Sequence, residues 1–315
     1  MANTTIVTIV LLAVIQAAMC KTNCTRICSP SDFFPNVKGN LTKIVWAHAV
    51  NSQAKLEKAL SSGDVMMLEA DVVMGKLNNT NNTSEIPIMA HPPNTESDLS
   101  LEEFLNITNT NGSKGIKLDF KTNDAFNNSK SILKKWQPIL KRPVFLNADI
   151  LSGPVNATLP LVGKEFIKEA NDIIPDAILS IGWTTRYGKE FNITKGRYSA
   201  EQLKKMVDTV AESRVTQPVT YPVRAGLAVN DIDAMKALLK NTKNATLTIW
   251  SAEGDSVDPA KLSKLIKEVD IDKVYVDVPN DLRSKLNLSG ASAMTPAVMM
   301  TLGASMALLV LSRML

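Results

Sequence analysis

Short apolar runs rich in β-branched residues alternate with longer segments of helical periodicity along most of the chain. Runs of this kind predict buried strands, whereas apolar residues three and four positions apart predict amphipathic helices. Eight strands are predicted, at 44–48, 65–72, 115–121, 143–149, 177–183, 218–224, 245–250 and 273–278. A further strand-like run at 86–91 has no helix before it, and we predict that it pairs back on the second strand as a hairpin arm.

Helical patterns fill most of the gaps, and several begin after a Ser, Asn or Asp that can cap the first free amides. They lie at 52–62, 100–108, 128–139, 163–173, 199–213, 231–241 and 259–269. Strand and helix alternating eight times over about 250 residues is typical of a (β/α)8 barrel. A doubly wound open sheet is the alternative, but the glycine-rich loop that typically follows its first strand is missing. We therefore predict an α/β fold, a single (β/α)8 TIM barrel at 41–286 with a β-hairpin insertion after strand two.

Both ends of the chain resemble processing signals. An apolar run at 6–18 predicts a secretory signal peptide at 1–20, although a basic segment before the run is lacking. Small residues at 287–291, a polar spacer and an apolar stretch at 297–311 are the parts of a GPI-anchor signal, predicted at 287–315. A single C-terminal membrane span is the alternative, but this stretch is shorter than the roughly 20 residues that a spanning helix needs.

The cysteines and glycosylation motifs agree with a secreted protein. Cleavage is predicted after Ala18 or after Cys20, and the second position would leave Cys24 and Cys28, which we expect to pair within an N-terminal extension at 21–40. N-x-S/T motifs recur at a density that suits an extracellular glycoprotein, although Asn-rich loops also create such motifs by chance. They include Asn23, Asn40, Asn78, Asn82, Asn106, Asn111, Asn156, Asn192 and Asn244. The net charge of +4, from 35 basic and 31 acidic residues without a long basic run, argues against a nucleic-acid partner.

Polar residues lie at the ends of the predicted strands, where TIM barrels carry their functional groups. Glu69 and Asp71 on strand two are two positions apart, as are Asp119 and Lys121 on strand three, so each pair shares one face of its strand. If that face is the barrel interior, three carboxylates converge, and one divalent cation, Mg²⁺ or Ca²⁺, is the usual means of holding them together. Lys121 would offset charge or hold a phosphate oxygen.

The two histidines of the chain, His48 and His91, end strand one and the hairpin arm. There they would flank such a metal and transfer protons near neutral pH, or one of them could attack phosphorus directly. A single histidine at a strand end is more often a structural residue, and a single carboxylate more often caps a helix or forms an ion pair. The coincidence of both histidines with three carboxylates at one predicted mouth favours a functional site.

Further residues at or near the mouth are predicted to line the same pocket, with roles left open. They are Asn147, Asp149, Trp183, Arg186, Arg224 and Trp250. The two tryptophans could instead simply fill the barrel mouth. The eighth strand carries Asp277 near its end.

Four motifs, WAHAVNS, LEADV, MAHPP and KLDFKT, resemble in order and approximate spacing those of the phospholipase-C-like phosphodiesterases. That superfamily includes the glycerophosphodiester phosphodiesterases and spider-venom sphingomyelinase D. A closer resemblance, over residues 40–280, is to the menorin family, also called the FAM151 family. It is carried by AHAVNS, MAHPP, KGIKLDFK, LNADIL, LSIGWTT and PVRA.

Carried over residue by residue, the superfamily resemblance implies a metal site, an acid/base or nucleophile pair and a phosphate contact. These are, in that order, Glu69, Asp71 and Asp119; His48 and His91; and Lys121. Two departures concern the substrate, because Ala49 and Val50 stand where glycerophosphodiester phosphodiesterases have Arg-Gly, and Pro92 stands where they have Asp. Asn51 keeps the His-x-Val-Asn form of sphingomyelinase D and is predicted to line the pocket, so a choline or lysophospholipid substrate stays possible.

Two functions are compatible with these residues. The first is metal-dependent cleavage of a phosphodiester, of the phospholipid or glycerophosphodiester type, outside the cell. The second is a non-catalytic cell-surface ligand that retains the pocket, because menorins are linked to the patterning of sensory dendrites through cell-surface adhesion complexes. In both cases the C-terminal anchor would hold the protein at a membrane surface.

Overall fold

The computed structural model of the protein describes residues 24, 26–78, 84–155, 157 and 163–289. The predicted signal peptide, residues 290–315 of the predicted anchor signal and three of the named glycosylation motifs, at Asn23, Asn82 and Asn156, lie outside the described residues. Within the described ranges, no helix is both long enough and apolar enough to cross a membrane.

Short, mostly buried strands form the wall of a barrel. In chain order they are β1 (Trp46–Ala47), β2 (Met67–Leu77), β3 (Ile86–Met89), β4 (Glu96–Ser97), β5 (Gly115–Phe120), β6 (Val144–Ser152), β7 (Ile178–Thr184), β8 (Val219–Arg224), β9 (Thr246–Trp250) and β10 (Val274–Asp277). All except β3 and β4 make one parallel ladder in the order β1-β2-β5-β6-β7-β8-β9-β10. Eight parallel strands in the described part of the chain, joined by helical crossovers, confirm the predicted TIM barrel.

The predicted hairpin insertion is also present. β3 runs antiparallel to the second half of β2, with Val72 opposite Met89 and Gly75 opposite Ile86. β4 then pairs in parallel with the end of β2. β2 therefore continues to Leu77, beyond its predicted end at residue 72, because its second half pairs with the hairpin rather than with the barrel.

Helices cover the outside of the barrel. They are α1 (Pro30–Phe33), α2 (Gln53–Ser61), α3 (Leu101–Asn111), α4 (Asn123–Trp136), α5 (Gly163–Ile173), α6 (Ala200–Glu212), α7 (Ala225–Ala228), α8 (Ile232–Lys240), α9 (Pro259–Val269) and α10 (Asn280–Arg283). Side chains cap several of them as predicted, and Ser100 and Ser199 form capping boxes at α3 and α6. The four-residue helices α1, α7 and α10 were not predicted, because they are too short to show a periodic pattern.

The barrel interior is apolar at its floor and polar at its mouth. At the floor, the rings of Trp46, Phe145 and Tyr275 pack edge to face, with centroids 5.5 to 6.1 Å apart. Along β2 the interior positions then change from Met67 at the floor to Glu69 and Asp71 nearer the mouth. A packed floor with a polar rim places the functional groups of a TIM barrel at one end.

The ladder does not continue from β10 to β1 among the described residues, and the Arg283 side chain and a backbone hydrogen bond between flanking segments join the two strands instead. Arg283 donates from Nη1 to the carbonyl of Val276 at 2.8 Å and from Nη2 to the carbonyl of Thr42 at 2.7 Å. The Leu41 N–H donates to the Ile271 carbonyl at 2.9 Å. We call this junction of β1 and β10 the seam. It closes the barrel beside the candidate site.

The N-terminal extension packs against the floor end of the barrel. Cys24 and Cys28 are joined by a disulfide. Ile27 and Cys28 are buried, and Val37 and Leu41 add apolar side chains to the floor. The extension thus covers the end of the barrel opposite the mouth.

Candidate functional site

Three carboxylates meet at the mouth, as the sequence predicts. Glu69 and Asp71 lie on β2, and Asp119 on β5 is directly opposite Asp71 in the ladder. One oxygen from each of the three lies within 4.8 Å of the others. Glu69 and Asp71 are buried and Asp119 is half-buried. Carboxylate oxygens at this spacing fit a hard divalent cation such as Mg²⁺ or Ca²⁺.

The Lys121 ammonium lies between two of these carboxylates. Its Nζ is 2.5 Å from Asp119 Oδ2 and 2.7 Å from Asp71 Oδ1. Burial alone would raise the pKa of the Asp119 carboxyl, but Lys121 and the neighbouring Lys117 hold that pKa below its usual range. Burial raises the pKa of Glu69, which Lys121 does not contact.

His48 joins the carboxylate cluster from the seam. Its Nδ1 lies 3.1 Å from Asp277 Oδ2 and 3.4 Å from Glu69 Oε2, while half of its side chain is exposed. The carboxylates of Glu69 and Asp277 raise the pKa of His48 to about 10, against the effect of burial. Asp277 was not among the predicted site residues, although its place near the end of the last strand could have indicated it.

Two asparagines orient the carboxylates. The Asn51 amide donates from Nδ2 to Asp71 Oδ2 at 2.7 Å, and its Oδ1 accepts from the Asp71 N–H at 2.9 Å. Asn147 Nδ2 donates to Asp119 Oδ1 at 2.6 Å, and Asn147 Oδ1 in turn accepts from Ser180 at 2.5 Å. Both asparagines therefore lie in the predicted pocket as supports of the acidic cluster.

His91 follows the hairpin strand β3 and is solvent-exposed. The preceding Ala90 donates its N–H to the Asp71 carbonyl at 3.1 Å, which places the hairpin end beside the carboxylate cluster. The His91 Nδ1 lies 2.7 Å from the carbonyl of Pro92. The hairpin thus brings the second histidine to the edge of the mouth, facing solvent.

Asp149 lies at the mouth, but Trp183 does not. Burial and the Asp119 carboxylate raise the pKa of the half-buried Asp149 to about 7. Gly182, opposite Asp149, faces inward, so Trp183 one position later faces outward. Its ring is buried and packs at a tilt against the Tyr198 ring, with centroids 5.2 Å apart, and its indole N–H donates to the carbonyl of Gln202 in α6. The prediction that Trp183 lines the pocket is therefore wrong.

Arg224 and Trp250 form a second cluster at the mouth. The Arg224 guanidinium makes a bidentate ion pair with Asp255, with both distances 2.8 Å, and stacks 4.9 Å from the Trp250 ring. Asp255 was missed because it lies in a loop, where no strand register indicates its direction. Because of this ion pair with Asp255, the charge of Arg224 is already balanced within the protein. Arg186, which follows β7, packs its guanidinium on the Phe191 ring, 5.4 Å from the ring centroid.

Besides Asp277, another charged residue inside the barrel was not predicted. Lys117 is only 4% exposed and lies directly opposite Glu69 in the ladder between β2 and β5. It precedes Asp119 by two positions and Lys121 by four, so the same alternation that indicated those residues could have identified it.

Comparisons with known proteins cover the same part of the chain. The family description for the menorin N-terminal domain matches residues 40–283. Human protein FAM151B is 37% identical over 236 residues, which cover 75% of this chain and 82% of that protein. A crystal structure of a glycerophosphodiester phosphodiesterase from Parabacteroides distasonis aligns with a TM-score of 0.44 and 14% identity, over 77% of this chain and 93% of that one. The matched residues contain the whole acidic cluster.

Proposed function

The chain belongs to the menorin family, as its motifs predict, and from that premise we propose that its barrel mouth binds a divalent cation and cleaves a phosphodiester. The observation that carries the proposal is the convergence of Glu69, Asp71 and Asp119 oxygens within 4.8 Å, beside the Lys121 ammonium. Glu69, Asp71 and Asp119 would hold Mg²⁺ or Ca²⁺. When bound, the ion would stabilise negative charge on the phosphoryl oxygens.

The two histidines suit different proton-transfer roles. Glu69 and Asp277 raise the pKa of His48 in the metal-free protein, and its imidazole would donate a proton to the leaving oxygen. In the neutral His91 ring, with Nδ1–H donating to the Pro92 carbonyl, Nε2 has a lone pair that can accept a proton from the nucleophile or attack phosphorus itself. Lys121 would donate to a phosphoryl oxygen.

For the substrate, we propose a phospholipid or glycerophosphodiester, with lysophospholipids as the first group to examine. Ala49 supplies no side-chain phosphate contact, so in this proposal the phosphate-binding cation is Lys121, whose ammonium lies beside the carboxylates that would hold the divalent ion. Trp250 is half-buried at the mouth, and its ring can pack against a choline headgroup.

We also propose that the protein is extracellular and held at a membrane surface by a C-terminal anchor. The Cys24–Cys28 disulfide supports an oxidising compartment. Several asparagines of N-x-S/T motifs are exposed and accessible to glycosylation, namely Asn78, Asn106, Asn111, Asn192 and Asn244.

Cation binding and turnover test this function together. Calorimetric titration of the purified protein with Mg²⁺ and with Ca²⁺ should show binding, which Glu69→Gln weakens at least about tenfold by removing a charged ligand. Glu57→Gln, on the exposed face of α2, is the matched control and should bind as the wild type does. Hydrolysis is then measured on lysophospholipids and glycerophosphodiesters, with His48→Ala and His91→Ala as inactive variants.

The two measurements separate the two functions. A wild-type protein that binds no divalent cation contradicts the proposed metal site. Cation binding without turnover of any diester would favour the non-catalytic role, in which the retained pocket serves a cell-surface ligand of adhesion receptors. In that case the His48→Ala/His91→Ala double variant should still bind those receptors.

A further inference from the structure

Lys117 is a cation enclosed in the barrel, and the proposed chemistry gives it no part. Its side chain lies beneath the acidic cluster, on the inward face of β5 that also carries Asp119 and Lys121. Burying an ammonium group is costly unless opposite charges surround it. The position of Lys117 therefore requires a compensating environment.

That environment consists of the carboxylates of the site. The positive charge of Lys117 interacts with Glu69, Asp119, Asp149 and Asp277. The direct contacts of Lys121 go to Asp71 and Asp119. Lys117 instead faces Glu69 across the ladder, so the two lysines neutralise different parts of the cluster.

The acidic residues could not remain assembled without such charges. Glu69, Asp71 and Asp277 are only 1%, 2% and 4% exposed, so water screens their charges little. Four carboxylates including Asp119 would repel one another in a protein that binds no cation. Lys117 supplies an opposing positive charge from below.

We propose that Lys117 is a positioning residue, an internal counter-ion that keeps the carboxylates assembled without a cation and weakens cation binding in return. The inference rests on the proposed cation site and extends it. A divalent ion that enters the cluster is repelled by Lys117, so it binds reversibly and the barrel folds without it. Substituting Lys117 with an uncharged residue should therefore destabilise the metal-free protein and raise its affinity for the divalent cation.

Lys117→Met tests this because methionine keeps the length of the side chain and removes its charge. Titration with Mg²⁺ and with Ca²⁺ should show binding about tenfold tighter or more than in the wild type. In chelator the variant should melt well below the wild type, and saturating cation should restore most of the difference. If the role of Lys117 were merely structural, the substitution would lower the melting temperature equally in chelator and in saturating cation.

Lys114→Met is the matched control. Lys114 is 6% exposed, and its ammonium donates to the backbone carbonyls of Ser62 and Val65 instead of facing the carboxylates. Its removal should lower the melting temperature equally with and without cation and leave affinity unchanged. Lys117→Met/Glu69→Gln removes one charge of each sign, so in chelator it should be more stable than Lys117→Met alone.

Each outcome decides one proposal. Wild-type affinity in Lys117→Met, or a double variant no more stable than Lys117→Met, overturns the counter-ion role while leaving the cation site intact. Binding in Lys117→Met but not in the wild type supports the counter-ion role and contradicts the proposed function. Binding in neither overturns both.

Discussion

Asn51 fixes the orientation of Asp71 through both ends of its amide. The side chain donates to one oxygen of the carboxylate and accepts from the backbone N–H of the same residue. A carboxylate held in this way presents its other oxygen, Oδ1, toward Lys121 and the cluster. Hydrogen-bond partners of ligands determine how well a metal site is formed before the metal arrives.

We predict that Asn51→Ala lowers cation affinity about 10-fold to 100-fold, because Asp71 loses its support. The free energy of unfolding should fall by about 1–3 kcal/mol, since a buried carboxylate and N–H lose their partners. Calorimetry and urea unfolding measure the two effects. Asn230→Ala removes an amide bonded to the carbonyls of Gly196 and Gly226, so it should cost stability alone. Equal affinities of both variants would contradict the role of Asn51.

Ala49 has the left-handed backbone conformation, with φ of +53°. This conformation turns its N–H toward Glu69 Oε2, at 2.8 Å, directly after His48. Left-handed backbone costs an alanine about 1–2 kcal/mol, whereas glycine adopts it freely. The chain therefore carries strain where the first strand enters the site.

Ala49→Gly should raise the free energy of unfolding by about 0.5–1 kcal/mol, after subtraction of the greater flexibility of glycine in the unfolded chain. Ala47→Gly is the control in the strand β1, where glycine should be destabilising by a similar amount. Urea unfolding in chelator measures both variants. A loss of stability in both would show that Ala49 carries no relievable strain.

At the scale of elements, the loops after β7 and β9 are fastened to each other. Asp255 in the second loop pairs with Arg224 at the end of β8. The Tyr187 hydroxyl in the first loop donates to the Ser256 carbonyl at 2.6 Å. Gly188 lies beside this ion pair with φ of +86°, where a side chain would collide with Asp255. This glycine allows the two loops to pack over the mouth.

We predict that Gly188→Ala lowers the free energy of unfolding by about 2–4 kcal/mol, from the strained backbone and the displaced ion pair. Gly63→Ala is the control, because nothing lies within 4 Å of a β-carbon there and its φ is not positive. Thermal and urea unfolding compare the two. Equal stability of both alanine variants would show that the loops adjust without cost.

The order of the strands was predictable, whereas side-chain direction beyond the strands was not. The period of two on β2 and β5 correctly grouped Glu69, Asp71 and Asp119, because each strand has one inward face. By the same alternation, Trp183 follows the inward-facing Gly182 and therefore points out of the pocket. Lys117 lies two positions before Asp119 and therefore belongs to the inward-facing group. Loops have no such period, so Asp255 could not be assigned. Burial and hydrogen bonding there depend on contacts between distant segments.

At the scale of the whole molecule, the seam that closes the barrel also contains a residue of the candidate site. His48 leaves β1 and Asp277 ends β10, and their 3.1 Å contact connects the two strands at the mouth. At the floor, Trp46 and Tyr275 make the corresponding aromatic contact, with centroids 6.1 Å apart. A proton-transfer residue of the proposed mechanism thus also helps to close the barrel.

This double role predicts a pH dependence of stability in the metal-free protein. The pKa of His48 is raised from 6.5 to about 10, so the ion pair contributes fully below about pH 6.5 and is lost as pH rises through about 10. Because half of the side chain is exposed, screening limits this contribution to about 1 kcal/mol. Unfolding in chelator should therefore show that the stability advantage of the wild type over His48→Gln disappears between neutral pH and pH 10. Parallel curves for the wild type and His48→Gln would mean that the seam is held by its Arg283, aromatic and backbone contacts alone.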